Sequence, residues 1–170
     1  MCLKVVFRMN KIFTAAFLFV VCIITSAQIP SVKLRNIEGE WINTNELQNN
    51  GKPFIISFFA TWCKPCLREL NAISELYDDW RTATGVKLFA VSIDKAQNVA
   101  KVKPLADMQG WDYEVLLDPN SELLKAMGFR MVPALVVCDA NGRIVETHNS
   151  YVDGQETEIF KTLKSLVSQQ

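Results

Sequence analysis

The order of apolar and amphipathic stretches predicts an α/β domain with a mixed central sheet and helices on both of its faces. Three runs are mostly apolar, as expected of central strands that contact other layers on both sides; they span residues 54–60, 86–93 and 134–138. Between the first two runs, apolar residues from Leu67 to Trp80 recur at helical spacing. Strands that alternate with helices are typical of a sheet covered on both faces.

Periodicity and turn signals define the elements of the first half. Residues 31–37 alternate apolar and polar side chains, which predicts a half-buried edge strand, and residues 40–43 can form a short second strand. The sequence Asn-Asn-Gly-Lys-Pro at 49–53 predicts a turn before the first central strand. The amphipathic helix that follows is expected to end near Gly85.

The second half continues the alternation. Residues 97–109 form a weaker helical pattern in which Met108 belongs to the apolar face, and Pro104 predicts a kink or a division into two pieces. The remaining elements follow in order: a strand at 113–117, a short helix ending near 128, the strand at 134–138, a hairpin turn at 139–142 with a return strand at 143–148, and a helix at 155–167.

Length and composition favour a single globular domain. The chain has 170 residues, of which 49% are apolar and 21% charged, so disordered and fibrous classes are excluded. Residues 1–27 contain three of the 18 basic residues and no acid, which leaves 15 basic and 18 acidic residues, a net charge of −3, in the rest. A mildly acidic body gives no electrostatic reason to expect nucleic-acid binding.

The first 27 residues have the three-part layout of a secretory signal. A basic lead precedes an apolar run from residue 12 to 24, and small residues follow up to Ala27. We expect cleavage after Ala27, with residues 28–170 as the domain; the alternative is a leader that stays uncleaved as a membrane anchor. Cleavage would remove Cys2 and Cys22 and leave Cys63, Cys66 and Cys138.

The close cysteine pair lies directly after the first central run, in the sequence Trp62-Cys63-Lys64-Pro65-Cys66. This position puts Cys63 at the N-terminus of the predicted helix, where unpaired N–H groups and the helix dipole favour a thiolate. We therefore predict that Cys63 is the exposed nucleophile and that Cys66, one turn inward, resolves the mixed disulfide. Pro65 fixes the first turn of the helix, and the charge of Lys64 adds a modest stabilisation of the thiolate.

Other uses of the pair lack partners in the sequence. A zinc site needs two more ligands, but only Cys138 and His148 remain, at unsuitable spacing. A covalent haem site needs a histidine after Cys66, where Leu67 stands. We expect Cys138 to be a buried core thiol and His148 to face solvent. The tryptophans outside the motif are expected to be packing residues: Trp41, Trp80 and Trp111.

These motifs resemble the thioredoxin superfamily. The resemblance rests on Trp62 to Cys66 after an apolar strand, on Val132-Pro133 before a later strand, and on Asp-Ala-Asn-Gly at the hairpin. The leader and the N-terminal extension from Val32 narrow it to the exported TlpA-like thiol-disulfide reductases. The resemblance covers residues 32–167 and implies a thioredoxin-like fold with an N-terminal strand extension.

The resemblance also implies roles for individual residues. Pro133 is expected to have a cis peptide bond and to face the cysteine pair, and Val132 to offer its backbone to the bound substrate. Trp62 is expected to shield the motif and to contact partners. Many thioredoxins carry a buried aspartate where this chain has Ser57, which cannot accept a proton at neutral pH. Glu69, three residues after Cys66, then becomes the candidate acid–base residue.

The predicted function is reduction of disulfides in envelope proteins by a Cys63/Cys66 dithiol–disulfide cycle. The partners are envelope proteins with disulfides and a membrane or periplasmic electron donor; we expect a monomer that needs no cofactor, no metal ion and no nucleic acid. The alternatives within enzymes are a thiol oxidase or isomerase and a peroxiredoxin-like peroxidase. The non-enzymatic alternative is a copper chaperone of the same fold that would use His148.

Overall fold

The computed structural model describes residues 28–168, which form one mixed seven-stranded sheet with four α-helices. The strands are β1 (Lys33–Asn36), β2 (Trp41–Asn43), β3 (Phe54–Phe59), β4 (Lys87–Ser92), β5 (Glu114–Leu117), β6 (Ala134–Cys138) and β7 (Ile144–His148). The helices are α1 (Lys64–Thr84), α2 (Val102–Gln109), α3 (Glu122–Ala126) and α4 (Gln155–Ser168), with short 3₁₀ turns at Thr44–Glu46 and Val99–Lys101.

The sheet is built around β3, the first predicted central strand. Its strand order is β2-β1-β5-β4-β3-β6-β7. β3 runs parallel to β4 and antiparallel to β6, with Ser57 opposite Ala90 on one side and Leu135 on the other. β1 extends the sheet by pairing antiparallel with β5. The mixed sheet and the N-terminal strand extension predicted from the sequence are therefore confirmed.

Two apolar layers cover the sheet, one on each face. Helices α1, α2 and α4 pack on the face that contains Ile55 and Phe59 of β3. Helix α3 and the N-terminal segment pack on the opposite face, which contains Phe54, Ile56 and Phe58. This alternation follows from the period of two in a strand, which sends neighbouring side chains to opposite faces. Helices on both faces were predicted, and the structure has them.

Helix α1 connects the cysteine motif to the core. It begins after Cys63, with Pro65 in the first turn, where a backbone N–H would have no acceptor within the helix. It ends at Gly85, whose φ of 64° is the left-handed conformation that glycine adopts without strain. Trp80, near its C-terminus, stacks on Phe160 of α4 with ring centroids 5.4 Å apart. The helix is thereby held between the sheet and α4.

The stretch from 97 to 109 has the predicted two pieces, but Pro104 does not divide them. The 3₁₀ turn at Val99–Lys101 leads directly into α2, and Pro104 is the third residue of that helix. A proline is tolerated there because N–H groups of a first helical turn have no intrahelical acceptor. The helical periodicity predicts Met108 on the apolar face, but 73% of it is exposed, so this prediction is wrong. Eight residues give α2 only two turns, and Val102 and Ala106 supply its buried side.

Trp41 is also more exposed than expected, at 57%, whereas Trp80 and Trp111 are buried as predicted. β2 is the edge strand of the sheet, so the indole of Trp41 has no strand beyond it to pack against. The guanidinium carbon of Arg35 lies 4.6 Å from the centroid of this ring, and Lys33 Nζ lies 5.4 Å from it. These two cationic groups therefore cover part of the ring surface that the apolar core leaves exposed.

The described chain begins beside the far edge of the sheet. Gln28 forms an isolated antiparallel bridge with Arg143, next to β7, and Ile29 is buried against the α3 side of the sheet. The predicted leader, residues 1–27, lies outside the described residues, so its cleavage and the domain boundary stay predictions. Between residues 28 and 168, no helix is long and apolar enough to cross a membrane.

Candidate active site

Cys63 and Cys66 form a disulfide at the junction of β3 and α1. Their Cα atoms lie 5.3 Å apart. Cys63 occupies the position that caps the helix, and its Sγ accepts a hydrogen bond from the backbone N–H of Cys66 at 3.3 Å. The first turn of α1 therefore directs one of its free N–H groups at the sulfur that the sequence analysis predicted to be the nucleophile.

Cys63 is much less accessible than the sequence analysis predicted, because only 5% of it is exposed. Its side chain folds back over the end of α1 toward Cys66, which is itself fully buried, and both belong to the apolar layer that contains Leu70 and Phe59. The expectation of an exposed nucleophile is therefore wrong for the oxidised protein.

The other residues of the motif surround the disulfide at the surface. Trp62 is 65% exposed, Lys64 is exposed and Pro65 is half-buried in the first turn of α1. The exposed indole is available to a partner, as the predicted contact role of Trp62 requires. The predicted shielding of the motif by Trp62 stays a prediction.

A buried aspartate holds the loop that carries Trp62. The carboxylate of Asp94, which is fully buried, accepts hydrogen bonds from the backbone N–H of Thr61 at 2.7 Å and from its hydroxyl at 2.8 Å. The hydroxyl of Ser92 donates to the same carboxylate at 2.9 Å. This anchor was not predicted from the sequence. The signal for it in the sequence was an acidic residue directly after a buried strand, at the level where the neighbouring strand also ends.

Val132 and Pro133 lie beside the cysteine motif, as the resemblance implied. The peptide bond between them is cis. β6 begins at Ala134, which pairs with Phe58, so Pro133 adjoins the end of β3 from which the motif extends. Pro133 is buried and Val132 is half-buried against both apolar layers. The predicted docking role of Val132 stays a prediction.

Glu69 is buried inside the domain rather than solvated on the helix surface. Only 1% of it is exposed, and its carboxylate accepts a hydrogen bond from the hydroxyl of Ser57 at 2.9 Å. Within residues 28–168 its other oxygen, Oε1, has no hydrogen-bond partner. Burial raises the pKa of Glu69 from 4.5 to about 7, and the bond from Ser57 opposes part of that rise.

Ser57 therefore has a role that the sequence analysis did not give it. It stands on β3 between Ile55 and Phe59, on the face that α1 covers, and its hydroxyl meets the carboxylate that α1 supplies. The serine cannot itself accept a proton at neutral pH, but it orients the residue that can. A carboxyl with a pKa near neutrality and one free oxygen can take up or release a proton beside the cysteine pair.

Cys138 and His148 lie away from the pair. Cys138 is fully buried, pairs with Phe54 at the start of β3 and has its pKa raised by burial to about 12, so the predicted core thiol is confirmed. His148 was expected to face solvent, but it is half-buried and hydrogen-bonded to Glu146 at 2.5 Å and to Gln155. In the part of the chain that the structure describes, no three potential ligands among His, Cys, Asp and Glu gather into a metal site.

Comparisons with known proteins agree with this fold and site. The family model described as AhpC/TSA matches residues 25–147. A thiol-disulfide oxidoreductase ResA from Halalkalibacterium halodurans is 29% identical over 130 residues, which is 76% of this chain and 71% of that protein. The solution structure of an uncharacterized thioredoxin-like protein from Porphyromonas gingivalis is 56% identical and superposes with a TM-score of 0.76, covering 85% of this chain and 95% of that one.

A further solved structure supports the fold alone. A putative thiol:disulfide interchange protein DsbE from Chlorobium tepidum is 18% identical with a TM-score of 0.68, over 81% of this chain and 96% of that one. With a matching family model, a thioredoxin-like sheet and a disulfide at the predicted motif, the chain belongs to the AhpC/TSA family and is a thiol-disulfide oxidoreductase with the redox pair Cys63 and Cys66.

Proposed function

We propose that the protein reduces disulfides in exported proteins of the cell envelope and is itself reduced by a dithiol donor at the membrane or in the periplasm. The secretory layout of residues 1–27 supports this location, and the relatives named thiol-disulfide oxidoreductase support the reaction class. The observation that carries the proposal is the buried carboxyl of Glu69, which Ser57 holds at the base of the motif and whose Oε1 has no hydrogen-bond partner within residues 28–168.

The reaction has two exchange steps. The Cys63 thiolate attacks one sulfur of the substrate disulfide, which forms a mixed disulfide and releases the other substrate sulfur as a thiolate. The Cys66 thiolate then attacks Cys63 Sγ, which forms the Cys63–Cys66 disulfide and releases the second substrate sulfur. The protein loses two electrons and two protons, and the substrate gains both. The donor's dithiol returns them in the same two steps.

Glu69 handles the proton of the second step. Cys66 is fully buried, so its thiol needs a nearby base before it can attack. Glu69 lies three residues later on the same helix, with a pKa of about 7 that leaves a substantial ionised fraction at neutral pH. Its carboxylate takes the proton from Cys66 and delivers it toward the departing substrate thiolate.

The surroundings of the pair favour reduction of substrates over their oxidation. The near-complete burial of Cys63 disfavours the thiolate, which is the charged form of the reduced pair, and so weakens the stabilisation that the backbone N–H of Cys66 provides. A strong thiol oxidant is one whose reduced form is stabilised. Because burial limits that stabilisation here, we expect the pair to hold its disulfide more firmly and its dithiol to donate electrons readily.

The reduction potential of the purified domain tests whether the protein reduces or oxidises its substrates. We expect a value below about −200 mV, in the range of reducing thioredoxin-like proteins. A value near −120 mV, the level of a strong thiol oxidase, would contradict the reductase proposal.

Single-cysteine variants test the roles within the pair. Cys66→Ser should accumulate mixed disulfides through Cys63, because the resolving thiol is gone, and these are detected by non-reducing electrophoresis of envelope fractions. Cys63→Ser should form none. Cys138→Ala is the matched control, because that thiol is buried at the other end of β3, and it should keep the wild-type activity. Substrate trapping through Cys66 in the Cys63→Ser variant would refute the assignment of the nucleophile.

A further inference from the structure

Two grooves meet at the exposed indole of Trp62, directly beside the redox pair. The first, the α2 groove, has a volume of about 430 Å³ between Trp62 and the side chains of Pro104, Leu105 and Met108. The second groove, of about 680 Å³, borders Trp62 and Asn98 and extends to the ends of β4 and β5. Trp62 and Met108 are among the most exposed large apolar side chains of the described chain.

The α2 groove borders Thr61 and Trp62, the two residues that precede Cys63 in the chain. A polypeptide whose sulfur reaches Cys63 therefore approaches the protein next to the residue that borders this groove. A side chain near the substrate cysteine can then enter the groove and contact Leu105 and Met108. Burial of these apolar surfaces on binding is favourable.

The charges around the two grooves have one sign. Lys101 lines the α2 groove, and Lys95 and Lys125 line the second groove, whereas no acidic side chain of the described residues lines either. Lys64 follows Cys63 directly. Within residues 28–168, none of these four ammonium groups has a carboxylate within 4.0 Å.

This basic surface stands out because the chain after the leader is acidic overall, with 15 basic and 18 acidic residues. Six of the eleven other basic side chains between residues 28 and 168 pair with carboxylates; Lys87, for example, pairs with Glu114. Lys95 and Lys101 are exposed and have no such partner among the described residues. A cationic surface of this kind attracts anionic partners and repels cationic ones.

We propose that the surface around Trp62 selects substrate polypeptides in which the disulfide is flanked by a bulky apolar residue and by acidic residues. The apolar residue occupies the α2 groove, and the acidic residues face Lys95 and Lys101. This inference rests on the proposed reductase function and names the class of polypeptide that the same site accepts. An apolar partner without acidic residues would use only the contacts with Trp62 and Met108.

Charge-swapped peptides test the selection. Two synthetic peptides share one disulfide and one leucine beside it, and differ only in carrying three glutamates or three lysines in the flanking positions. The fully reduced protein is mixed with each, and second-order rate constants are measured in 20 mM and 500 mM salt. We expect the glutamate peptide to react about fivefold faster at low salt, in line with a few exposed ion pairs, and less than twofold faster at high salt.

Charge-reversal variants locate the effect. Lys95→Glu combined with Lys101→Glu should invert the preference, so that the lysine peptide reacts faster at low salt. Lys161→Gln is the control, because Lys161 is an exposed residue of α4 that lines neither groove; it should keep the wild-type preference and the wild-type rate. Met108→Gln should slow both peptides about equally, because it removes apolar contact without changing charge.

The outcomes separate the two proposals. Equal rates for the two peptides with the wild-type protein, or an unchanged preference in the double variant, would overturn the selection while leaving the reductase function intact. A small neutral disulfide serves as a further probe of the wild-type protein. If neither that compound nor either peptide is reduced, the reductase function fails, and the selection fails with it.

Discussion

Replacement of Glu69 by glutamine should flatten the pH dependence of stability of the oxidised protein. Because burial raises the pKa of Glu69 from 4.5 to about 7, the native state keeps a proton that the unfolded chain releases between these values. The stabilising contribution is therefore fully present below pH 4.5 and is lost as the pH rises to about 7. The difference corresponds to roughly 3 kcal/mol, of which roughly 2–3 kcal/mol falls between pH 5 and pH 8.

Urea unfolding followed by tryptophan fluorescence measures this contribution. The free energy of unfolding is determined at pH 5 and pH 8 for the wild type and for Glu69→Gln, and the loss of stability with pH is compared between them. The variant should lose roughly 2–3 kcal/mol less than the wild type. Other titrating groups are common to both proteins and cancel in this comparison.

A neighbouring glutamate provides the matched control. Glu75 lies on the same helix but is exposed, so Glu75→Gln should follow the wild-type profile. If Glu69→Gln and the wild type lost the same stability between pH 5 and pH 8, the carboxyl would have an ordinary pKa in the folded protein. Its proposed role as the proton acceptor of Cys66 would then lose its physical basis.

Three further substitutions test individual contacts. Ser57→Ala removes the hydrogen bond that opposes the rise in the pKa of Glu69, so the pH profile of the disulfide exchange rate, measured by stopped flow, should move to higher pH; an unmoved profile would speak against Glu69 as the base. Asp94→Asn leaves at least one donor of Thr61 or Ser92 without its acceptor and should cost about 1–3 kcal/mol in urea unfolding. Ile73→Ala opens a cavity under α1 and should cost about 2–5 kcal/mol; a loss below 1 kcal/mol would mean that the core closes around it.

The sequence was sufficient for the elements whose signals are local. The strand at Ala134–Cys138 and the ends of α1 follow from continuous apolar runs, from the cysteine motif and from Gly85. The cis bond before Pro133 came from the resemblance and not from periodicity. In each case, the deciding residues lie within a few positions of the feature that they determine.

The features that could not be predicted from the sequence depend on contacts between elements that lie far apart in the chain. The burial of Glu69 depends on Ser57, twelve positions earlier on another element, and the anchor of Thr61 depends on Asp94, 33 positions later. Helical periodicity also assigns a face without saying how far the neighbouring layer extends, so Met108 was placed inside although α2 leaves it exposed. The near burial of Cys63 has the same origin, because it follows from packing against the finished core.

The bridge between Gln28 and Arg143 places the first described residue at the end of the domain that lies away from the redox pair. Arg143 follows the turn after β6, level with the first residue of β3, whereas the disulfide follows the last residue of that strand. Over the six residues of β3, this separation is about 20 Å. A membrane anchor or another domain joined upstream of Gln28 would thus be attached at one end of the domain. The redox pair would lie at the opposite end, where partners can reach it.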